Sequence, residues 1–284
     1  MIAKDTQRAV SPIDVRLPAG LPKDSELQQV AFVSEKDSGQ RLLLELPLPF
    51  QRFAVEAKID SGSTLQILTI PTSNHQDADL QLAARDWVGA GAAENKSPLE
   101  MMTLQGAQVF WTAGRVAVLA QGDRLETLRL ALIEACWYES ELRDIERTLG
   151  EAWPQMEADL PLAFAFTEKA LTKQPQLMKR FQQVLLIRAR LARLGPQVHA
   201  PYLHPPTLAS QVAERFRERS RMIHRHEFLG EQVEVFEKIY DTCGQRASDF
   251  VQSRTGHMLE WIIIVLLVTQ ILLWGFELLT SVGQ

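Results

Sequence analysis

An uncharged stretch near the carboxyl end constrains this 284-residue chain more than any other feature. No Asp, Glu, Lys or Arg occurs from Trp261 to Phe276, a run of 16 residues. As a helix, this run is about 24 Å long, slightly shorter than the roughly 30 Å hydrocarbon core of a bilayer. The wider segment from Met258 to Leu279 has 22 residues and is long enough to cross it.

The aromatic and polar residues of this stretch also fit a single crossing. Trp261 and Trp274 fall where the two interfacial aromatic belts of a membrane lie, and Gln270 is the amide between them. We therefore predict one transmembrane helix over 258–280, with the lipid bilayer as its partner. The alternative is a buried helix of a soluble core, which shares the apolar composition.

Basic residues lie on one side of this predicted span. Arg246 and Arg254 precede it and none follows it. By the positive-inside rule, the large amino-terminal part is expected on the cytoplasmic side, or the equivalent matrix side, of an inner or cytoplasmic membrane. The 2 cysteines, Cys136 and Cys243, provide no disulfide framework and agree with a reducing compartment. We expect a single-pass, tail-anchored protein.

The first part of the chain carries the signals of a small mixed sheet. Residues 1–24 predict an extended arm, and residues 25–122 predict an α/β domain with a helix and loop within 71–100. Short runs rich in Val, Ile, Leu and Phe, bounded by Gly, Pro, Asp or Ser, predict strands. The predicted strands are Gln28 to Val33, Arg41 to Leu46, Arg52 to Lys58, Thr64 to Ile70, and a hairpin of Gln108 to Ala113 with Arg115 to Ala120.

From Asp123 the apolar period changes to that of helices, which predicts a helical region over 123–204. The first helix begins with Asp123 as its cap, and Pro154 punctuates the stretch that follows. A second helix is predicted from Gln176 to Leu194, ended by Gly195-Pro196.

Residues 205–257 are predicted to form long helices or a coiled coil. Seven side chains, which we call the 229–250 seam, alternate in spacing between four and three residues, the pattern of a heptad repeat. Two interpretations remain open: one helix of an ordinary bundle, or a stalk or hairpin that self-associates and continues into the membrane, with a bend at Gly230 or Gly244. The seam residues are Leu229, Val233, Phe236, Tyr240, Cys243, Ala247 and Phe250.

Together these elements predict an α+β fold class. It comprises an amino-terminal α/β domain with a small mixed sheet, a helical middle, a long helical hairpin or coiled coil, and one carboxyl-terminal transmembrane helix.

Charge is unevenly distributed behind a formal net charge of −5. Residues 1–168 hold 15 basic and 25 acidic side chains, whereas residues 169–195 hold 7 basic and no acidic ones. The basic stretch predicts a surface for RNA phosphates or anionic lipid headgroups, or a solvated face that pairs with the acidic amino-terminal domain. The candidate residues are Lys173, Lys179, Arg180, Arg188, Arg190 and Arg193.

Catalytic patterns are not legible in the sequence. There is no phosphate-binding loop and no nucleophile elbow, and Gly89-Ala90-Gly91 lacks the third glycine of a dinucleotide turn. His224 and His226 are two residues apart and face different ways on a helix, which makes them a poor metal pair. We predict no catalytic, cofactor-binding or metal-binding residues, no small-molecule substrate, and buried structural roles for both cysteines.

The segment Leu259-Glu260-Trp261-Ile262-Ile263-Ile264-Val265-Leu266-Leu267 resembles the closing signature of the YagE / required-for-meiotic-nuclear-division family. Gly106-Ala107-Gln108-Val109-Phe110-Trp111 resembles the family's small-residue strand that ends in Phe-Trp, and Leu130 to Glu134 with Glu139 resembles its next helix. The resemblance covers roughly 104–279. The chain departs from the family at Gln270, where members often carry an acid.

This resemblance implies an α/β domain, paired long helices and one carboxyl-terminal span, with no established enzymatic activity. Mitochondrial members of the family are inner-membrane proteins that form homo-oligomers and support translation near the membrane.

Three hypotheses follow. The first is a non-enzymatic, tail-anchored scaffold that self-associates and holds its soluble domain at the cytoplasmic membrane face, within a homo-oligomer or a membrane protein complex. The second is a membrane tether for RNA or ribosomes through residues 169–195. The third is an enzyme with an unrecognised site in the acidic amino-terminal domain.

Overall fold

A computed structural model describes residues 18, 20–34, 41–47, 64–74, 76–95, 97–164, 167–199 and 207–281. The predicted strand Arg52 to Lys58 and most of the predicted arm lie outside these residues. The chain divides into two compact units: unit 1 is Met1–Glu141 with Ala200–Met222, and unit 2 is Leu142–His199 with Ile223–Gln284. The predicted domain boundaries at 122 and 204 differ from this division.

Unit 1 is built on a six-stranded mixed sheet, which agrees with the predicted α+β class. The strand order is β2-β1-β3-β6-β5-β4, and each neighbouring pair is antiparallel except β3 with β6. The strands are β1 Glu26–Ser34, β2 Arg41–Pro47, β3 Thr64–Pro71, β4 Glu100–Leu104, β5 Ala107–Thr112 and β6 Arg115–Ala120.

Strand prediction succeeded where the apolar run is long, and missed β4. In β4 only Met102 is buried, so the sequence gives little of the alternation that marks a strand. The predicted hairpin is confirmed as β5 and β6, and Gly114 at its turn has a φ of 81°, a conformation that glycine adopts without strain.

Helix α1, Ala78–Asn95, packs on one face of this sheet. Its Ala84 and Val88 join a buried cluster with Leu68, Phe110 and Leu119. Since successive strand side chains point to opposite faces, Trp111 faces the other side, where its ring lies 5.1 Å from that of Phe216. Phe216 belongs to α5, Leu208–Arg219, which begins with Thr207 accepting a hydrogen bond from the amide of Ser210.

The remaining helices are α2 Gly122–Asp159, α3 Pro161–Phe164, α4 Gln174–Val198 and α6 Met222–Ser281, with a 3₁₀ helix at Glu168–Lys173. Residues 122–141 of α2 belong to unit 1 and residues 142–159 to unit 2.

Two predicted interruptions are wrong. Helix α2 continues through Pro154, and α4 continues past Gly195-Pro196 to Val198. Buried side chains beyond each proline, Met156 and Val198, favour the helical turn that the proline disfavours. Helix α6 is helical through Gly230 and Gly244, where one interpretation placed a bend.

Candidate membrane anchor

Helix α6 has two halves that differ in exposure. Between residues 222 and 247, one face is buried inside the protein, with Leu229, Val233 and Phe236 at 1 % exposure or less. From residue 251 to 274, every side chain is exposed, although most are large and apolar. A helix apolar on every side needs an apolar environment on every side.

The second half of α6 contains the residues predicted to mark a membrane span. Trp261 and Trp274 are 68 % and 70 % exposed, and their 13-residue separation places them about 20 Å apart along the axis. Gln270 is also exposed within this segment. Side chains beyond Trp274 lie outside the part that the structure describes.

Among the described residues, α6 is the one helix that is long and apolar enough to cross a membrane. Its most apolar 18-residue window has a mean hydropathy of 2.0, and none of that window is buried in the protein. The prediction of a membrane-spanning helix therefore agrees with the length, composition and exposure of α6.

The 229–250 seam faces the interior of unit 2. Six of its residues, from Leu229 to Ala247, are buried within this chain, and Phe250 is partly buried. This burial agrees with the first of the two interpretations, one helix of an ordinary bundle, and self-association of the protein stays a prediction. The seam packs as one helix of an intramolecular bundle.

This bundle consists of α4, the second half of α2, and the first half of α6. Phe236 of α6 meets Trp153 of α2 with ring centroids 5.2 Å apart in an edge-to-face arrangement. His226 of α6 donates its Nε2–H to the carbonyl oxygen of Leu191 in α4 at 3.0 Å. Buried residues of α4, including Leu177, Val184 and Leu191, recur at heptad spacing like those of α6.

Arginine–carboxylate pairs join every pair of helices in the bundle. Arg225 of α6 binds Glu146 of α2 through two bonds of 2.6 and 2.8 Å. Arg190 of α4 binds Asp144 of α2 at 2.9 Å, and Arg188 of α4 binds Glu237 of α6 at 2.6 Å. Partial burial raises the pKa of the Asp144 carboxyl, but its contacts with Arg147 and Arg190 lower that pKa by more. The net shift in the pKa is downward.

Three of the six residues of the predicted basic surface are paired with carboxylates, and within the described part of the chain the other three are not. Arg180 and Arg190 bind Asp159 and Asp144, two carboxylates of the acidic stretch 1–168, and Arg188 binds Glu237. Lys173, Lys179 and Arg193 are exposed and have no acidic partner among the residues that the structure describes. Lys179 and Arg193 are about 21 Å apart along α4, so they do not form a compact cluster.

A buried polar cluster closes the end of α2, and sequence reasoning missed it. The Asp159 carboxylate, 6 % exposed, accepts hydrogen bonds from Arg180 of α4 and from the Tyr240 hydroxyl of α6, the latter at 3.4 Å. The thiol of Cys243 donates to the Asp159 carbonyl oxygen at 3.9 Å. No local pattern links these residues, because Asp159 and Tyr240 are 81 positions apart.

The thiol and the phenol of this cluster suit a structural role, because both keep their protons at neutral pH. Burial, with the negative charge of Asp159 in addition, raises the pKa of the Cys243 thiol to about 11. The same two causes raise the pKa of Tyr240 to about 12. A thiol with so high a pKa is protonated at neutral pH and is a poor nucleophile.

No group of three or more metal-ligating side chains occurs within the described ranges. In unit 1, an open depression of about 260 Å³ lies at the carboxyl ends of the parallel strands β3 and β6. Its lining residues carry no ionisable side chain; they are Pro71, Thr72, Ser73, Gln121 and Gly122.

No family model matches the sequence, and no curated protein has detectable similarity to it. The resemblance to the YagE family therefore stays a prediction.

The placement of the seam predicts different effects for two neighbouring residues of α6. Phe236 is fully buried and Val235 is 45 % exposed. We expect Phe236→Ala to lower the free energy of unfolding by about 3–5 kcal/mol and Val235→Ala by less than about 0.5 kcal/mol. Urea unfolding of the intact protein in detergent measures both. A Phe236→Ala variant that dissociates an oligomer without loss of stability would restore the intermolecular interpretation.

The raised pKa values in the polar cluster predict alkaline destabilisation of unit 2. Tyr240 and Cys243 hold their protons more tightly when folded, so their contribution to stability is complete below about pH 9 and is lost as the pH rises towards 12. In Tyr240→Phe, we expect the melting temperature to fall less steeply between about pH 10 and 12 than in wild type. Equal slopes for the two proteins would contradict the assignment.

Proposed function

We propose that this protein is a non-enzymatic, membrane-anchored scaffold that holds a helical bundle at the face of a bilayer. The single observation that carries the proposal is the change along α6. The helix has one face buried as far as residue 247, is exposed on every face from residue 251, and is predominantly apolar from Met258 to Trp274. Because α6 is one continuous helix, the bundle and the proposed span share a backbone.

Several features support this proposal over its rivals. The polar residues Gln252, Ser253 and Arg254 separate the bundle from the apolar segment, as expected at a headgroup layer. Arg246 and Arg254 precede the span, which favours the cytoplasmic or matrix-equivalent side for the bundle.

The seam side chains are already packed within unit 2, so support for the scaffold proposal comes from the anchor, and self-association is a separate prediction. The RNA-tether hypothesis has less support, because three of its six proposed basic residues bind carboxylates of their own unit.

Two arginines placed in the span test the proposal. Each arginine near the middle of a transmembrane helix costs about 2.5–3.5 kcal/mol of insertion free energy. We expect wild type to remain in the membrane pellet after alkaline carbonate extraction, and Ile264→Arg/Leu267→Arg to shift largely to the supernatant.

The matched control is Leu185→Arg/Leu186→Arg. These two side chains of α4 are also apolar and exposed, at 44 % and 66 %, but lie in the bundle. This variant should stay in the pellet with wild type. Release of the wild-type protein by carbonate, or full retention of the Ile264→Arg/Leu267→Arg variant, would contradict the proposal.

A further inference from the structure

Gln270 is a polar residue close to the middle of the apolar segment of α6. The ionisable residues nearest to it in the sequence are Glu260, ten positions before it, and Glu277, seven positions after it. At the rise of an α-helix, these residues are about 15 Å and about 10 Å away along the axis. The Gln270 side chain is too short to reach either surface of a bilayer across such distances. If α6 crosses the bilayer, this amide lies within hydrocarbon.

The amide of Gln270 has no partner in the protein. A glutamine side chain has two N–H donors and a carbonyl oxygen that accepts. Gln270 is exposed, and its side chain makes no hydrogen bond within the part of the chain that the structure describes. Hydrocarbon has no hydrogen-bonding groups, so these polar atoms would stay unpaired in a solitary span, at a large cost in free energy.

The preceding residue, Thr269, is polar but needs no such partner. Its hydroxyl donates to the carbonyl oxygen of Val265 at 2.8 Å, within the same helix. Between Trp261 and Trp274, a stretch that the structure describes in full, Thr269 and Gln270 are the two residues with polar side chains. Gln270 is therefore the one side chain of this stretch whose hydrogen bonds must come from outside its own helix.

A second copy of α6 has the chemistry that this amide requires. No other helix among the described residues is long and apolar enough to lie beside α6 in a membrane. The amide N–H groups carry partial positive charge and the carbonyl oxygen partial negative charge, so two Gln270 side chains are complementary to each other. Because the same segment would anchor both copies, their residues 270 would lie at the same depth and in the same orientation.

The apolar residues near Gln270 suit the packing of two parallel helices. Ile263, Leu266, Gln270 and Leu273, which we call the 263–273 stripe, are spaced three, four and three residues apart, as in a heptad repeat. The three apolar members are 55 %, 63 % and 64 % exposed. One polar residue within an apolar heptad stripe fixes the register of the pair. This stripe is separate from the 229–250 seam, most of which is buried in unit 2.

We propose that two copies of α6 associate within the bilayer along the 263–273 stripe, with the Gln270 amides hydrogen-bonded to each other. This inference rests on the proposed function, since it takes α6 as the span. The scaffold is then a dimer whose two bundles are joined through the membrane, and its association does not require the buried 229–250 seam.

Energy transfer between donor-labelled and acceptor-labelled copies of the full chain tests the association. Leu186→Cys, at a position 66 % exposed in the bundle, carries the fluorophore, whereas Cys136 and Cys243 are only 8 % and 0 % exposed. The protein is reconstituted in phosphatidylcholine vesicles at a series of lipid-to-protein ratios, which gives the dissociation constant. We expect Gln270→Leu to weaken association about 3- to 30-fold and Gln270→Asn, which keeps the amide, to weaken it less.

The matched control is Thr269→Val, which removes a hydroxyl that is already satisfied within its own helix. This variant should associate like wild type. Oxidative cross-linking then reports which face is in contact. Ile263→Cys lies on the stripe, whereas Val265→Cys is equally exposed but turned about 200° around the helix. We expect disulfide-linked dimers with the first variant and few with the second.

Carbonate extraction of the same vesicles separates failure of this inference from failure of the proposed function. Wild type and Gln270→Leu should both resist extraction. If they do, equal association of the two proteins, an equal loss in Thr269→Val, or equal cross-linking at 263 and 265 would overturn the inference alone. A wild type that is monomeric at every ratio, as when Gln270 meets a helix of another protein, would do the same. Extraction of wild type would overturn the proposed function and this inference with it.

Discussion

Backbone hydrogen bonding constrains α6 more than any other element. Within hydrocarbon, every N–H and C=O of a spanning segment must be paired inside its own helix, so the apolar segment cannot unwind without a large cost. In the bundle, the buried face from Leu229 to Ala247 holds the same helix against α2 and α4. In the proposed account, α6 is thus held by the bundle at one end and by hydrocarbon at the other, and it is helical at Gly230 and Gly244.

Polar contacts then fix how the bundle packs around α6. Apolar side chains of the seam favour packing of the three helices but do not select one arrangement of them. An arginine and a carboxylate form their hydrogen bonds only when the two helices that carry them have the right relative position. Arg225 with Glu146, Arg190 with Asp144, and Arg188 with Glu237 each join a different pair of helices. Asp159 is a fourth carboxylate of the bundle and is buried, so leaving it unpaired would cost the most free energy. Its partners are Arg180 and Tyr240.

Local patterns in the sequence predicted the elements better than their contacts. The predicted strands that fall among the described residues, the hairpin and the long apolar helix follow from periodicity and composition within ten to twenty residues, and the structure contains them. The heptad spacing at Phe236 is the same for a seam inside one chain and a seam between chains, so periodicity alone could not choose between them. The partners of Arg180 and Arg190 were not predictable because they are 21 and 46 residues away in the sequence.

The central claim is that one unbroken helix joins the bundle to the membrane span. Spin labels at Val235→Cys and Met258→Cys test it directly, because both positions are exposed and 23 residues apart on α6. In a lipid nanodisc, a continuous helix predicts a narrow distance distribution between the labelled backbone sites, centred near about 35 Å. A broad distribution, or one centred clearly below that distance, would show a hinge between bundle and span and would contradict the account.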